Sequence, residues 1–69
     1  MERIPVSSSN LQSVGFDPDS STLEIEFKGG AVYQYQGVPQ AEFDAFMNAS
    51  SLGKYFHANI KDRYATVKL

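Results

Sequence analysis

The chain has 69 residues, 42% hydrophobic and 13% aromatic, with no cysteine, one histidine and a net charge of −2. That length suits one domain with a small core, stabilised by packing or by self-association. The composition excludes a disulfide framework and a cysteine–histidine zinc site, and the charge argues against general nucleic-acid affinity.

Met1-Glu2-Arg3 does not begin a signal peptide and no apolar run approaches a membrane span, so the expectation is a soluble cytoplasmic protein. Ile4 and Val6 are expected to pack at a sheet edge. Ser7-Ser8-Ser9-Asn10 is a polar lead-in whose side chains can cap or turn the backbone. Leu11 to Asp17 reads as a first strand with Val14 and Phe16 pointing inward. Asp17-Pro18-Asp19-Ser20-Ser21 then turns the chain, because proline presets one dihedral and the acidic and hydroxyl side chains bond nearby amides.

Residues 22–36 form the central hairpin. Leu23, Ile25 and Phe27 alternate with Thr22, Glu24, Glu26 and Lys28, the period of a strand with one buried face. The return strand puts Ala31, Tyr33 and Tyr35 in one phase and Val32, Gln34 and Gln36 in the other. A two-residue loop at Gly29-Gly30 would set the tyrosines over Glu26 and Glu24. A three-residue loop, Lys28-Gly29-Gly30, pairs Phe27 with Ala31, Ile25 with Tyr33 and Leu23 with Tyr35. The longer loop gathers the apolar set on one side, and it is the expected one. Both tyrosine rings then face the core with their hydroxyls at the rim, and Glu24 and Glu26 lie on a solvated sheet face.

Gly37-Val38-Pro39 breaks the sheet and opens a helix. Phe43, Phe46 and Met47 make its buried stripe, while Ala41, Asp44, Ala45 and Asn48 face away. Ser50 or Ser51 ends this helix and caps the next. In the second helix Leu52, Tyr55, Phe56 and Ile60 share one face, and Lys54, His57 and Lys61 line the opposite one. Residues 62–69 alternate weakly, as a short final strand or an extended tail. The whole, residues 1–69, reads as a single α+β domain: a three- to four-stranded antiparallel β-meander packed on one face by two short C-terminal helices.

With these residues placed, the chain resembles the KTSC domain, a module named for the C-terminal region of some lysyl-tRNA synthetases. That domain also occurs as a free-standing small bacterial protein. The matching pieces begin with Ser8-Ser9-Asn10, Val14-Gly15-Phe16-Asp17, Leu23-Glu24-Ile25-Glu26-Phe27, Gly30 and Val32-Tyr33-Gln34-Tyr35. They continue through Gly37-Val38-Pro39, Gly53-Lys54-Tyr55-Phe56, Ile60 and Arg63-Tyr64. His57 stands where asparagine is usual, and Ala65 where proline is common. The resemblance implies a β-rich fold with C-terminal helices, no known catalytic residues, and an RNA-binding role drawn from the synthetase context.

Little in the residues themselves points to catalysis. Gly53-Lys54 lacks the serine or threonine and the first glycine of a phosphate-binding loop, and Gly29-Gly30 is a hairpin turn. Ser8, Ser9, His57 and several acids exist without a nucleophile-elbow context. His57 has no second ligand at metal spacing, so neither metal nor cofactor is expected.

Charge is uneven along the chain. Residues 1–49 carry Glu2, Asp17, Asp19, Glu24, Glu26, Glu42 and Asp44 against Arg3 and Lys28, a balance of −5. Residues 50–69 carry Lys54, Lys61, Arg63 and Lys68 against Asp62, a balance of +3. The candidate nucleic-acid-binding residues are therefore Lys54, His57, Lys61, Arg63 and Tyr64, cations on a helix with an aromatic close by. The expected function is a non-catalytic binding module with RNA as ligand. A protein–protein or homodimeric self-association module is the alternative, and an enzyme is the third and least supported reading.

Overall fold

The computed structural model describes residues 1–69. Five strands form one antiparallel sheet in chain order: β1 (Ile4–Pro5), β2 (Leu11–Asp17), β3 (Thr22–Phe27), β4 (Val32–Gln36) and β5 (Ala65–Lys68). Between β4 and β5 come α1 (Gln40–Met47), α2 (Leu52–Tyr55) and a π-helical turn over Phe56–Ile60 that continues α2. The α+β meander with two C-terminal helical segments matches the sequence expectation. The sheet is wider than expected by the two-residue β1, and residues 65–68 form a strand rather than a free tail.

The hairpin register follows from the turn. Phe27 N donates to Ala31 O at 2.8 Å and Gly30 N to Phe27 O at 3.0 Å, with Gly29 and Gly30 at φ 105° and 101°. Those dihedrals suit residues without a Cβ. Leu23 thus faces Tyr35 and Ile25 faces Tyr33. In β2 an irregularity between Leu11 and Ser13 adds one residue against β3. It reconciles an odd spacing, because Leu11 and Val14 both reach the core despite lying three apart. Leu11 was not among the inward positions read from the sequence, since strict alternation hides it.

The core lies between this face and the helices: Leu11, Val14, Leu23, Ile25 and Tyr35 meet Val38, Phe46, Phe56 and Ile60. Phe16 and Phe43 stack at 4.6 Å with planes 8° apart, fixing α1 against β2. The exposed side of α1 holds Ala41, Asp44, Ala45 and Asn48, as its periodicity requires. Ser51 is the residue that caps α2, its Oγ accepting from Lys54 N at 3.3 Å. The interstrand turn is tied as expected, with Asp17 Oδ1 accepting from Asp19 N at 3.0 Å.

Two expectations are corrected at the N-terminal edge. Ile4 is 51% exposed rather than packed, because β1 is the outermost strand; Val6 does pack against the core. Glu24, expected on a solvated face, is only 5% exposed. The cause is the crossing of residues 2–3 over Gly15, where an added Cβ would lie 2.5 Å from the Glu2 carbonyl oxygen. That close approach carries the Arg3 side chain across the sheet. Arg3 Nη1 donates to Glu24 Oε2, Arg3 Nε to Ser13 Oγ at 3.1 Å, and Gln34 Nε2 to Glu24 Oε1 at 2.9 Å. Ser13 Oγ in turn donates to Glu26 Oε1 at 2.8 Å. Burial alone would raise the Glu24 pKa, but the hydrogen bonds from Gln34 and Arg3 and the guanidinium charge outweigh it, and the net shift is downward.

Candidate functional site

The helical segment after Ser51 sets one aromatic ring at the centre of the sheet's C-terminal end. Phe56 is buried and stands edge-on to Tyr35 at 5.4 Å and to Phe27 at 5.4 Å; Phe27 in turn stands edge-on to Tyr33 at 5.7 Å. These four rings floor a groove of about 590 Å³. Its rim carries Lys28, His57 and Lys61, with Asn10, Asp62 and Thr66 completing the wall. Lys68 Nζ lies 6.0 Å from the centre of the Tyr33 ring, near the outer reach of a cation–π contact.

The two hairpin tyrosines divide the work between them. Tyr35 is buried, and burial first, then the neighbouring Tyr33 and Asp62, push its phenol up to about 12. It is a neutral, apolar floor at any physiological pH. Tyr33 sits nearer the sheet's end, is half-buried, and leaves part of its ring in the groove. The expectation that both rings turn inward holds for their direction on the sheet. It is met only in part for the cover over Tyr33, which packs against the core yet borders the open groove.

Lys54, His57 and Lys61 are all exposed, but only Lys54 lies on α2. His57 belongs to the π-helical turn and Lys61 leaves it with ψ 132°, so the three do not share the one α-helix expected. They are divided between two adjoining hollows. Lys61 borders the aromatic groove and Lys54 a second hollow of about 510 Å³, together with Ser9, Ser51, Gly53 and Ala58. His57 and Asn10 border both. Its ring stands edge-on to Phe56 at 5.4 Å, which anchors the imidazole on the ridge between the hollows. The π-helical turn is closed by Lys61 N donating to Phe56 O at 2.8 Å; such turns are rare and often accompany functional sites.

Arg63 is exposed and borders neither hollow. Tyr64 is half-buried and donates to Glu42 Oε1 at 3.0 Å, while Tyr55 donates to Glu42 Oε2. Burial and the bond to Glu42 raise the Tyr64 pKa; for Tyr55 the bond to Glu42 is the larger cause of its rise. This clasp ties α1 to the end of the helical segment and occupies the hydroxyl of Tyr64. Sequence periodicity missed Asn10, Lys28 and Thr66, which reach the groove only through strand pairing and turn geometry. One signal was available: a loop running Lys28-Gly29-Gly30 necessarily sets Lys28 beside the end of the aromatic face.

The side chains offer no group of three or more His, Asp or Glu residues arranged to hold a metal ion, and no helix is long and apolar enough to cross a membrane. Ser8 Oγ is engaged by the amides of Asn10 and Leu11 at 3.3 and 3.4 Å.

Comparison with known proteins agrees with this architecture. The sequence profile of the KTSC domain matches residues 7–64. The crystal structure of a KTSC domain protein from Yersinia pestis superimposes with a TM-score of 0.93 at 45% identity, covering 99% of this chain and 96% of that one. An uncharacterised protein of Stutzerimonas stutzeri is 41% identical over 64 residues, 93% of this chain and 90% of its own length. A lysine–tRNA ligase of Nostoc sp. is 36% identical over 54 residues, 78% of this chain but 10% of the ligase.

Proposed function

Because the chain belongs to the KTSC domain family, we propose that it is a non-catalytic binding module whose ligand is RNA, taken in the groove between β3, β4, β5 and the π-helical turn. One observation carries the reading: a floor of four aromatic rings lies beside the cations Lys28 and Lys61 and the imidazole of His57. Bases stack on aromatic faces while lysines neutralise neighbouring phosphates, so both halves of a nucleotide find their chemistry within one concavity. A net charge of −2 does not oppose this, because the groove itself carries Lys28 and Lys61 against the acid Asp62. The related segment in lysine–tRNA ligases, proteins whose name makes tRNA their substrate, supports the choice of RNA.

Backbone amide shift mapping with tRNA and with a single-stranded oligoadenylate tests the proposal. The expected shifts fall on Phe27, Lys28, Tyr33, His57, Lys61 and Thr66, and Lys28→Glu with Lys61→Glu abolishes them. Shifts confined to Thr22, Glu24, Gln34 and Gln36, on the other sheet face, would refute the groove.

A second reading has its own observation. All four residues of the edge strand β5 are exposed, and Val67 and Leu69 are 40% and 62% exposed. Such an edge can accept a strand from a second copy. A concentration-dependent dimer in size-exclusion chromatography, with no retention of RNA, would favour that reading over the first.

A further inference from the structure

We infer that the aromatic groove and the polar hollow beside it form one continuous track, and that the track takes two consecutive nucleotides of an unpaired strand. This rests on the RNA reading above and adds a second subsite to it. The two concavities share Asn10 and His57 as their common ridge. On one side lie rings; on the other, only Ala58 is apolar, and Ser9, Ser51 and Lys54 present hydroxyls and an ammonium. The groove, with its rings and lysines, takes one whole nucleotide, and the ring-free hollow holds the sugar–phosphate of the next.

The hollow is assembled from two segments far apart in sequence. The loop through Ser9 and Asn10 is brought over the start of α2, where a Cβ on Gly53 would meet Asn10 Nδ2 at 3.6 Å. That loop is held by the Ser8 hydroxyl bonds and by Lys28 N donating to Asn10 O at 2.9 Å. The same backbone bond therefore positions the ridge residue Asn10 and the rim residue Lys28. The backbone of Asn10, Ser51 and Lys54 is already held by these bonds and by the α2 cap, so binding has to order only the side chains above it. A base still stacked within a duplex cannot reach the aromatic floor, which selects an unpaired strand.

Amide shift titrations with adenosine 5′-monophosphate and with the dinucleotide pApA, on the intact chain, test the track. Linking the two subsites makes the dinucleotide bind at least about ten-fold more tightly than the mononucleotide. The variant Lys54→Glu weakens the dinucleotide several-fold more than the mononucleotide and so removes that advantage; Tyr33→Ala weakens both probes. Equal affinity for the two probes, or Lys54→Glu weakening neither, overturns the second subsite while leaving the groove intact. Shifts from neither probe, with no effect of Tyr33→Ala on a longer oligoadenylate, overturn the groove and the track together. Both substituted residues lie at the surface or half-buried at the sheet's end, and the dispersion of the free protein's amide spectrum reports whether each variant is folded.

Discussion

The guanidinium of Arg3, just before β1, reaches across the sheet to the carboxylate of Glu24, whose side chain is 7% exposed against 31% for its partner. Removing the cation leaves a buried carboxylate with only Gln34 as donor. Arg3→Ala is therefore expected to destabilise the fold by about 1–3 kcal/mol, and Glu24→Gln on top of it restores part of the loss because a neutral amide tolerates burial better. Denaturant unfolding of the single and double variants measures both.

The same pair sets the response to acid. The Glu24 pKa is lowered in the folded chain relative to 4.5, so the unfolded chain takes up this proton first as pH falls. Its stabilisation is complete above the unfolded value and disappears as pH drops through the folded one. Unfolding followed from neutral pH down through 4.5 is expected to show a stability loss that is shallower in Glu24→Gln. Identical acid profiles for the two chains would remove the ion pair from the account.

Gly15 makes the crossing of residues 2–3 possible, since a methyl group there would meet the Glu2 carbonyl oxygen at 2.5 Å. Gly15→Ala must push the N-terminal segment off the sheet or strain it, at a cost of about 1–3 kcal/mol. Amide exchange is the sharper readout. Val6 N, which donates to Gln12 O at 3.2 Å, loses its protection, while Leu23 and Ile25 keep theirs.

Binding of single-stranded RNA is expected to depend on salt. With three or four phosphates neutralised by Lys28, Lys54, Lys61 and Lys68, the log–log slope is about −2 to −3, and each lysine replaced by alanine reduces it by about 0.7. Arg63→Ala, outside both hollows, leaves the slope nearly unchanged. A flat salt profile would exclude phosphate contacts.

Legibility in the sequence followed the range of each interaction. The register of β3 and β4 was readable because a short glycine loop and two apolar phases admit one matching. The faces of α1 were readable for the same local reason. Glu24 was not, because its burial depends on Arg3, 21 residues away, and on a glycine that only makes room. The candidate stripe was legible as three exposed positions on a helix. That it parts into two hollows depends on Asn10 and Lys28, which helical periodicity does not register. The bond from the Tyr64 hydroxyl to Glu42, 22 residues earlier, was likewise not legible, because no local pattern links the two.

Strands β1 to β4 each join their neighbour through a short connection, but β5 reaches β4 only after the entire helical region has been laid down. Closing a long loop costs more entropy than closing a short one, so the expected kinetic order is a rapid meander followed by late arrival of the last strand. Thr66 and Lys68 travel with that strand. One wall of the groove is thus the final piece to assemble, and an occupant touching it would act as a latch on the closing step, slowing unfolding more than it hastens folding.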